Sequence, residues 1–311
     1  ISYTIPAYSV NILRLNTSDI KIEADDTTSV LPPTAVRYSF LNKKTTDDQG
    51  LYTGALKNGA DIVMMSDNNY VLSTGSIGGG GYLNLGTAMP KAVLSSLSDS
   101  YTISIDMLNH ADNKLGSYCW GYAIANSTTN YIGLVNTGGN TNWYYEIKNG
   151  SVTQVVKSGV GLATEVWHNV TYVQDGENGK IYIDGILAST SSVSIKPADL
   201  SSAILECCIG KSPYAADAVM ENAFFDNFQI FNSALNPQQV KTIYNKTSRM
   251  SSELFSNGIN HILNDKQATS NGINVYDTDG RMIKQHVTNT KAFEGLTKGT
   301  YIIDGKKVVI R

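Results

Sequence analysis

The sequence predicts an all-β fold: a two-sheet antiparallel sandwich followed by a small C-terminal β-domain. Three observations predict it. First, dipeptides that tolerate positive φ separate strand-like runs: Asn149-Gly150 divides 143–148 from 151–157, Asp184-Gly185 divides 180–183 from 186–189, and Asp304-Gly305 divides 300–303 from 306–310. Such pairs suit two-residue hairpins. Second, the flanking runs are rich in Val, Ile, Tyr and Thr, and several alternate. In 101–107 the odd positions Tyr101, Ile103, Ile105 and Met107 are apolar and the even ones polar, which predicts a strand with one wet face. Third, only one helix is well signalled. Asn236 can cap it, Pro237 takes its first position, Gln239 falls three after the cap, and Val240, Ile243 and Tyr244 form its apolar stripe. Many short strands with almost no helix mean an antiparallel sandwich.

Composition supports this and excludes other classes. The chain has 311 residues, of which 41% are hydrophobic, enough for a sizeable core. Only 16% are charged, below the ~25% of an average soluble protein. A net charge of −3 argues against a nucleic-acid partner, which would need a basic face. No apolar run reaches the ~18 residues of a membrane span. Ile1 opens within a strand-like run with no leader pattern, so the chain reads as part of a longer polypeptide. The three cysteines do not make a disulfide framework, and Cys119, Cys207 and Cys208 read as buried free thiols.

Residues 1–16 read as the last strand of a preceding β-domain and 17–33, ending in Pro32-Pro33, as a linker. Residues 34–247 carry the dense strand pattern. Residues 248–311 form the small C-terminal domain, polar up to 271 and strand-like from 272.

Three stretches of 34–247 resemble the laminin-G-like, concanavalin-A-type jelly-roll family. They are Ala35–Phe40 with Gly80–Gly86, then Trp167–Val173 leading into Gly179–Gly185, and finally Phe225–Leu235 with the short helix. The resemblance implies a two-sheet antiparallel jelly-roll sandwich that binds carbohydrate or protein, with catalysis only in some branches. Trp167 stands where such domains bury a tryptophan, and His168 reads as a strand-end histidine with a backbone partner. The resemblance also implies a structural calcium ion held by Asp226 of the closing motif, with Asp61 as a second ligand. A plain turn carboxylate is the alternative for Asp226.

The two ends resemble other families. The segments 272–282 and 295–310 look like the C-terminal sorting-type β-domain of Bacteroidetes secreted proteins, which implies an extracytoplasmic protein, secreted, periplasmic or at the cell surface. A small stabilising sandwich is the alternative. Residues 3–15, Tyr-Thr-Ile-Pro-Ala-Tyr-Ser-Val-Asn-Ile-Leu-Arg-Leu, are similar to the last strand of the accessory sandwich that ends family 51 α-L-arabinofuranosidases. That implies an upstream catalytic domain in the same polypeptide.

The sequence carries no recognisable catalytic constellation. Glycoside hydrolysis needs two facing carboxylates, and the Glu-x-Asp-x-x-Glu run of catalytic jelly rolls is missing. The histidines lack metal-ligand spacing, and the glycine run 78–81 reads as a flexible loop rather than a phosphate cradle. Binding is better supported, because sugars stack on aromatic faces and bond to amides and carboxylates. Two aromatic clusters fit: Tyr118, Trp120 and Tyr122, which strand alternation puts on one face, and Trp143, Tyr144 and Tyr145. Trp143 and Tyr145 are assigned to the core. Tyr144 and Glu146 are then the exposed pair, with Asn140 and Asn142 adding hydrogen bonds and Tyr118 and Trp120 a further platform. The expected partner is a plant cell-wall polysaccharide of the arabinan or arabinoxylan type. A structural spacer or protein-adhesion domain is the alternative, and a jelly-roll glycosidase or lyase a third.

Overall fold

The computed structural model of the protein describes residues 29–65, 69–110, 118–137, 140, 142–200 and 205–247, and four short strands beyond them. The N-terminal strand expected at 1–16 lies outside the described residues. In chain order the first elements are β1 (Val36–Tyr38), β2 (Ala55–Lys57), β3 (Asp61–Met64), β4 (Tyr70–Ser73), β5 (Tyr82–Gly86) and helix α1 (Ala88–Leu94). Then come β6 (Ser100–Asn109), β7 (Tyr118–Ser127), β8 (Asn130–Thr137), β9 (Trp143–Asn149) and β10 (Val152–Lys157). The sandwich closes with β11 (Trp167–Asp175), β12 (Asn178–Ile183), β13 (Ile186–Ser192), β14 (Glu206–Ile209), β15 (Ala223–Phe231) and helix α2 (Pro237–Thr242).

These strands form two antiparallel sheets. The first is eight-stranded, in the order β13-β12-β11-β6-β15-β4-β3, with β1 also paired to β15. The second is seven-stranded, in the order β10-β9-β8-β7-β14-β5-β2. Neighbours far apart in sequence, such as β6 beside both β11 and β15, mark the crossovers of a jelly roll. Beyond the sandwich, β16 (Ile273–Asp277), β17 (Met282–Val287), β18 (Gly299–Ile303) and β19 (Lys306–Ile310) make a four-stranded antiparallel sheet in the order β17-β16-β18-β19.

Local chemistry explains the turns. Asp184 and Gly185 have φ of 52° and 76°, so both central residues of the β12–β13 hairpin are left-handed, as a type I′ turn demands. β9 and β10 are joined one residue later than the sequence predicts, through Gly150-Ser151, because Asn149 still pairs with Val152, and Gly150 takes the left-handed φ of 62°. The pair at 304–305 lies outside the described residues, although its flanks pair Ile303 with Lys306. At α2 the expected capping box is present. The Gln239 N–H donates to Asn236 Oδ1 at 2.8 Å, and the Asn236 N–H donates to Gln239 Oε1 at 3.0 Å.

The core lies between the sheets and is rich in tyrosine. Tyr145 and Tyr172 stack with ring centroids 3.5 Å apart and planes 4° from parallel. The Tyr101 and Tyr145 hydroxyls lie 2.6 Å apart, which satisfies both in a dry interior. The odd residues of β6 point into this core as predicted. Its even residues do not face water, because Thr102, Ser104 and Asp106 are fully buried. A hydrogen-bonded layer keeps them there. Asp106 accepts from Asn169 Nδ2 at 2.8 Å and from Asn227 Nδ2 at 2.9 Å, and the Ser104 and Thr171 hydroxyls lie 2.8 Å apart. Alternation reports polarity, and here the polar residues find partners within the protein instead of solvent.

All three cysteines are free and buried. Burial pushes the Cys119 and Cys208 thiols up to about 12 and raises Cys207 as well, so none is a thiolate at neutral pH. His168 has a carboxylate rather than a backbone partner, with Nδ1 2.8 Å from Asp184 Oδ2. The glycine run is clasped: the Gly78 and Gly80 N–H groups donate to the two oxygens of Glu221 at 2.8 and 2.7 Å.

Candidate functional site

The outer face of the second sheet carries the site. Strand alternation in β9 turns Trp143, Tyr145 and Ile147 into the main core and leaves Tyr144 and Glu146 on the opposite face. On β7 alternation fails. The register with β8 shifts between Trp120 and Tyr122, so Trp120 stays outside while Tyr122 enters the core. The expectation that Tyr118, Trp120 and Tyr122 share a face is therefore corrected: the bulge at Gly121 resets the parity.

Trp120 lies over Gly133 of β8. A Cβ at Gly133 would sit 2.2 Å from Trp120 Cζ3 and 2.5 Å from Cε3, so only glycine leaves room for the indole. Gly133→Ala is expected to cost ~1–3 kcal/mol through overpacking and to change the environment of Trp120, seen as a lower Tm with a shifted tryptophan emission. An unchanged Tm and spectrum would contradict this packing.

Tyr131 meets Trp120 edge to face, with centroids 5.3 Å apart. Its hydroxyl donates to Glu146 Oε1. Burial, and next the bond to Glu146, raises the Tyr131 phenol far above its ordinary value. Burial likewise raises Tyr144, with the Glu146 charge as the second cause.

The segment between β14 and β15 folds over these rings. Trp120 Nε1 donates to Asp217 Oδ2 at 2.8 Å, and the Ser212 hydroxyl donates to the same oxygen at 2.7 Å. The Tyr214 ring lies 6.2 Å from Trp120 and 5.8 Å from Tyr131. Its hydroxyl donates to Thr128 O at 3.0 Å and accepts from Lys148 Nζ at 3.3 Å. The result is a cavity of about 280 Å³ lined by Tyr118, Trp120, Tyr131, Tyr144, Glu146, Tyr214 and Asp217. Its floor is aromatic, and two carboxylates sit in its walls.

Four of the sequence-predicted residues thus come together: Tyr118, Trp120, Tyr144 and Glu146. Tyr144 is not exposed as expected. It is only 7% accessible because neighbouring rings cover it, and the ring that opens to solvent is Tyr118, at 49%. Asn140 and Asn142 serve the fold instead. Asn140 Oδ1 accepts from Trp143 Nε1 at 2.9 Å and from the Leu162 N–H at 3.1 Å. Asn142 Oδ1 accepts from the Gly159 N–H at 3.0 Å. Sequence reasoning missed Tyr131, Gly133, Tyr214 and Asp217. A glycine inside a strand was the available signal for Gly133 and its neighbour Trp120. Nothing local signals Tyr214 or Asp217, which reach the site from a segment distant in sequence, after β14.

Asp226 and Asp61, the residues expected to hold calcium, both have partners within the protein. Asp226 Oδ1 accepts the N–H of Asn227 at 2.7 Å. Asp61 is bonded by the Ile62 N–H at 2.8 Å and lies 3.6 Å from the Lys43 ammonium, which competes with a cation. Among the described residues no group of three or more His, Cys, Asp or Glu could hold a metal ion.

Comparison with known proteins agrees with the architecture. A family model for the concanavalin A-like lectin/glucanases superfamily matches residues 78–241, more than half the chain. The chain belongs to this superfamily. Among solved structures, this lectin/glucanase-type chain is similar to domain 4 of AbnA, a GH43 extracellular arabinanase from Geobacillus stearothermophilus, in complex with arabinotriose. The TM-score is 0.56 at 17% identity, covering 68% of this chain and 98% of that one. It is also similar to the binding domain of botulinum neurotoxin DC in complex with rat synaptotagmin II, with TM-score 0.53 and 14% identity over 68% of this chain and 51% of that one. The binding domain of Paraclostridial Mosquitocidal Protein 1 gives TM-score 0.53 and 14% identity over 69% and 52%. The chain spans about half the length of these toxin domains. No curated protein sequence matches. At these identities the likeness is one of fold.

Proposed function

We propose that the jelly roll binds a plant cell-wall polysaccharide of the arabinan or arabinoxylan type, and does so without cleaving it. The observation that carries this reading is the aromatic cavity outside the second sheet, where Tyr118 offers an open ring beside Glu146 and Asp217. A sugar ring stacks its C–H face on an aromatic surface while carboxylates accept its hydroxyls. The solved complex of a similar arabinanase domain with arabinotriose supports the sugar class. On this reading the region sits behind an upstream hydrolase domain of an extracytoplasmic protein and holds the enzyme near its substrate by raising effective concentration. The C-terminal sheet is then a sorting-type export domain.

Affinity electrophoresis in gels of arabinan, arabinoxylan and other plant polysaccharides tests the reading. The wild type should be retarded, with a dissociation constant of roughly 0.01–1 mM. Tyr118→Ala should lose most of that retardation, and its Tm should barely move because the ring is half exposed. If the wild type migrates freely in every gel, the spacer role replaces the binding role.

One observation favours hydrolysis as a second reading: Glu146 and Asp217 share the cavity, and paired carboxylates are what glycosidases use. Both, however, are anchored to ring donors on the cavity floor, Tyr131 and Trp120. Release of reducing ends from the gel polysaccharides, lost in Glu146→Gln, would establish hydrolysis.

A further inference from the structure

Beside the aromatic cavity lies a second one of about 330 Å³. Its floor is made of Ala123 and Ala125 of β7, two small side chains on the same outer face, and its sides include Glu206 and Lys211. Both cavities are lined by Tyr214 and Asp217. One segment therefore forms the partition between them.

That partition is fixed in place. Asp217 Oδ2 accepts from Trp120 and Ser212, the Tyr214 N–H donates to the Ser212 hydroxyl at 2.9 Å, and the Tyr214 hydroxyl is held by Thr128 and Lys148. The Ala218 N–H donates to Tyr118 O at 3.0 Å, which pins the end of the segment to β7. The side groups of the second cavity are also placed. Glu206 Oε1 accepts from Asn84 Nδ2 at 2.7 Å, and Lys211 Nζ sits 4.5 Å above the Tyr82 ring. Groups already held by the fold lose little freedom when a ligand binds.

The two cavities differ in chemistry. One is an aromatic box. The other has a shallow apolar floor with an acceptor, Glu206, and a donor, Lys211, on its sides. A single sugar uses one of these. A chain uses both, with one residue against the rings and another against the alanine floor, where its hydroxyls reach Glu206 and Lys211.

We infer that the ligand is an oligosaccharide chain spanning both cavities across the Tyr214 ridge, with Glu206 and Lys211 forming a second sugar subsite. This inference rests on the carbohydrate-binding reading and adds to it that the site recognises an internal run of sugars rather than a single terminal unit.

Isothermal titration with α-1,5-linked arabino-oligosaccharides of one to four units tests it. Affinity should rise by about tenfold or more between the monosaccharide and the trisaccharide, the scale of one or two hydrogen bonds to charged groups. The Glu206→Gln, Lys211→Met double variant should bring the trisaccharide back to the monosaccharide's affinity. Glu206 is exposed and Lys211 half-buried, so the fold should survive, and an unchanged Tm confirms that. The variant should bind the monosaccharide as the wild type does. Equal wild-type affinity for one and three units, or a double variant that weakens both alike, would overturn the second subsite and leave the aromatic site standing. If the wild type binds none of the series, and none of the matching xylo- and gluco-oligosaccharides, the carbohydrate reading itself fails.

Discussion

The sandwich is expected to unfold cooperatively as the pH is raised toward about 11. Burial raises Tyr101, Tyr122, Tyr145 and Tyr172 well above their ordinary value, because a phenolate in this dry core would lose its hydration. The folded state keeps these hydroxyls neutral, whereas unfolded tyrosines ionise near pH 10. A raised folded pKa contributes stability that is fully present below the unfolded pKa and is lost as the pH climbs beyond it. At pH 11 each group costs about 1.4 kcal/mol, so the four together cost ~6 kcal/mol. That is comparable to the whole stability of a typical domain, about 5–15 kcal/mol. Far-UV circular dichroism and tyrosinate absorbance, followed together, check this. The last step of the tyrosinate absorbance, that of the buried rings, should coincide with the loss of the sheet signal. Ionisation of all the tyrosines with the sheet signal intact at pH 12 would mean that the core hydroxyls are accessible to base.

Trp143→Ala is expected to destabilise the jelly roll by ~3–5 kcal/mol. The indole is fully buried between the sheets, and its Nε1 donates to Asn140 Oδ1. Truncation leaves a ring-sized cavity and removes one of the two hydrogen bonds that Asn140 Oδ1 accepts. Urea denaturation should show the midpoint falling with the slope unchanged. Tyr118→Ala is the control, since it removes an exposed ring from the other face of the same sheet. Equal stability of the two variants would show that the faces are assigned wrongly.

What the sequence disclosed and what it hid have physical causes. Hairpin dipeptides and period-two runs act locally, so the strands, the Asp184-Gly185 turn and the α2 cap were legible, while the β9–β10 turn slipped by one residue because Asn149 pairs with Val152. Alternation also placed Trp143 and Tyr145 inside and Tyr144 and Glu146 outside. It failed where the backbone broke its own period: the bulge at Gly121 separates Trp120 from Tyr122. It failed again on β6, where polarity suggested water but Asp106, Asn169 and Asn227 bond to one another. Exposure depends on what folds over a strand. Tyr131, Tyr214 and Asp217 close over the Tyr144–Glu146 face, and the last two arrive from the distant segment after β14. Asn140 and Asn142 were sound sugar-binding chemistry, yet their amides are consumed by nearby loop backbone.

The claim that binding occurs outside the second sheet can be read from the three tryptophans. Trp120 lies in the candidate cavity, Trp143 in the core beneath it, and Trp167 in an apolar cluster on the first sheet. Each indole N–H gives its own resonance in a nitrogen–proton correlation spectrum. Titration with arabinotriose should shift the Trp120 signal strongly, because its N–H bonds to Asp217 in the cavity wall, and leave that of Trp167 in place. A shift at Trp167 with Trp120 unmoved, or no shift at saturating sugar, would contradict the account.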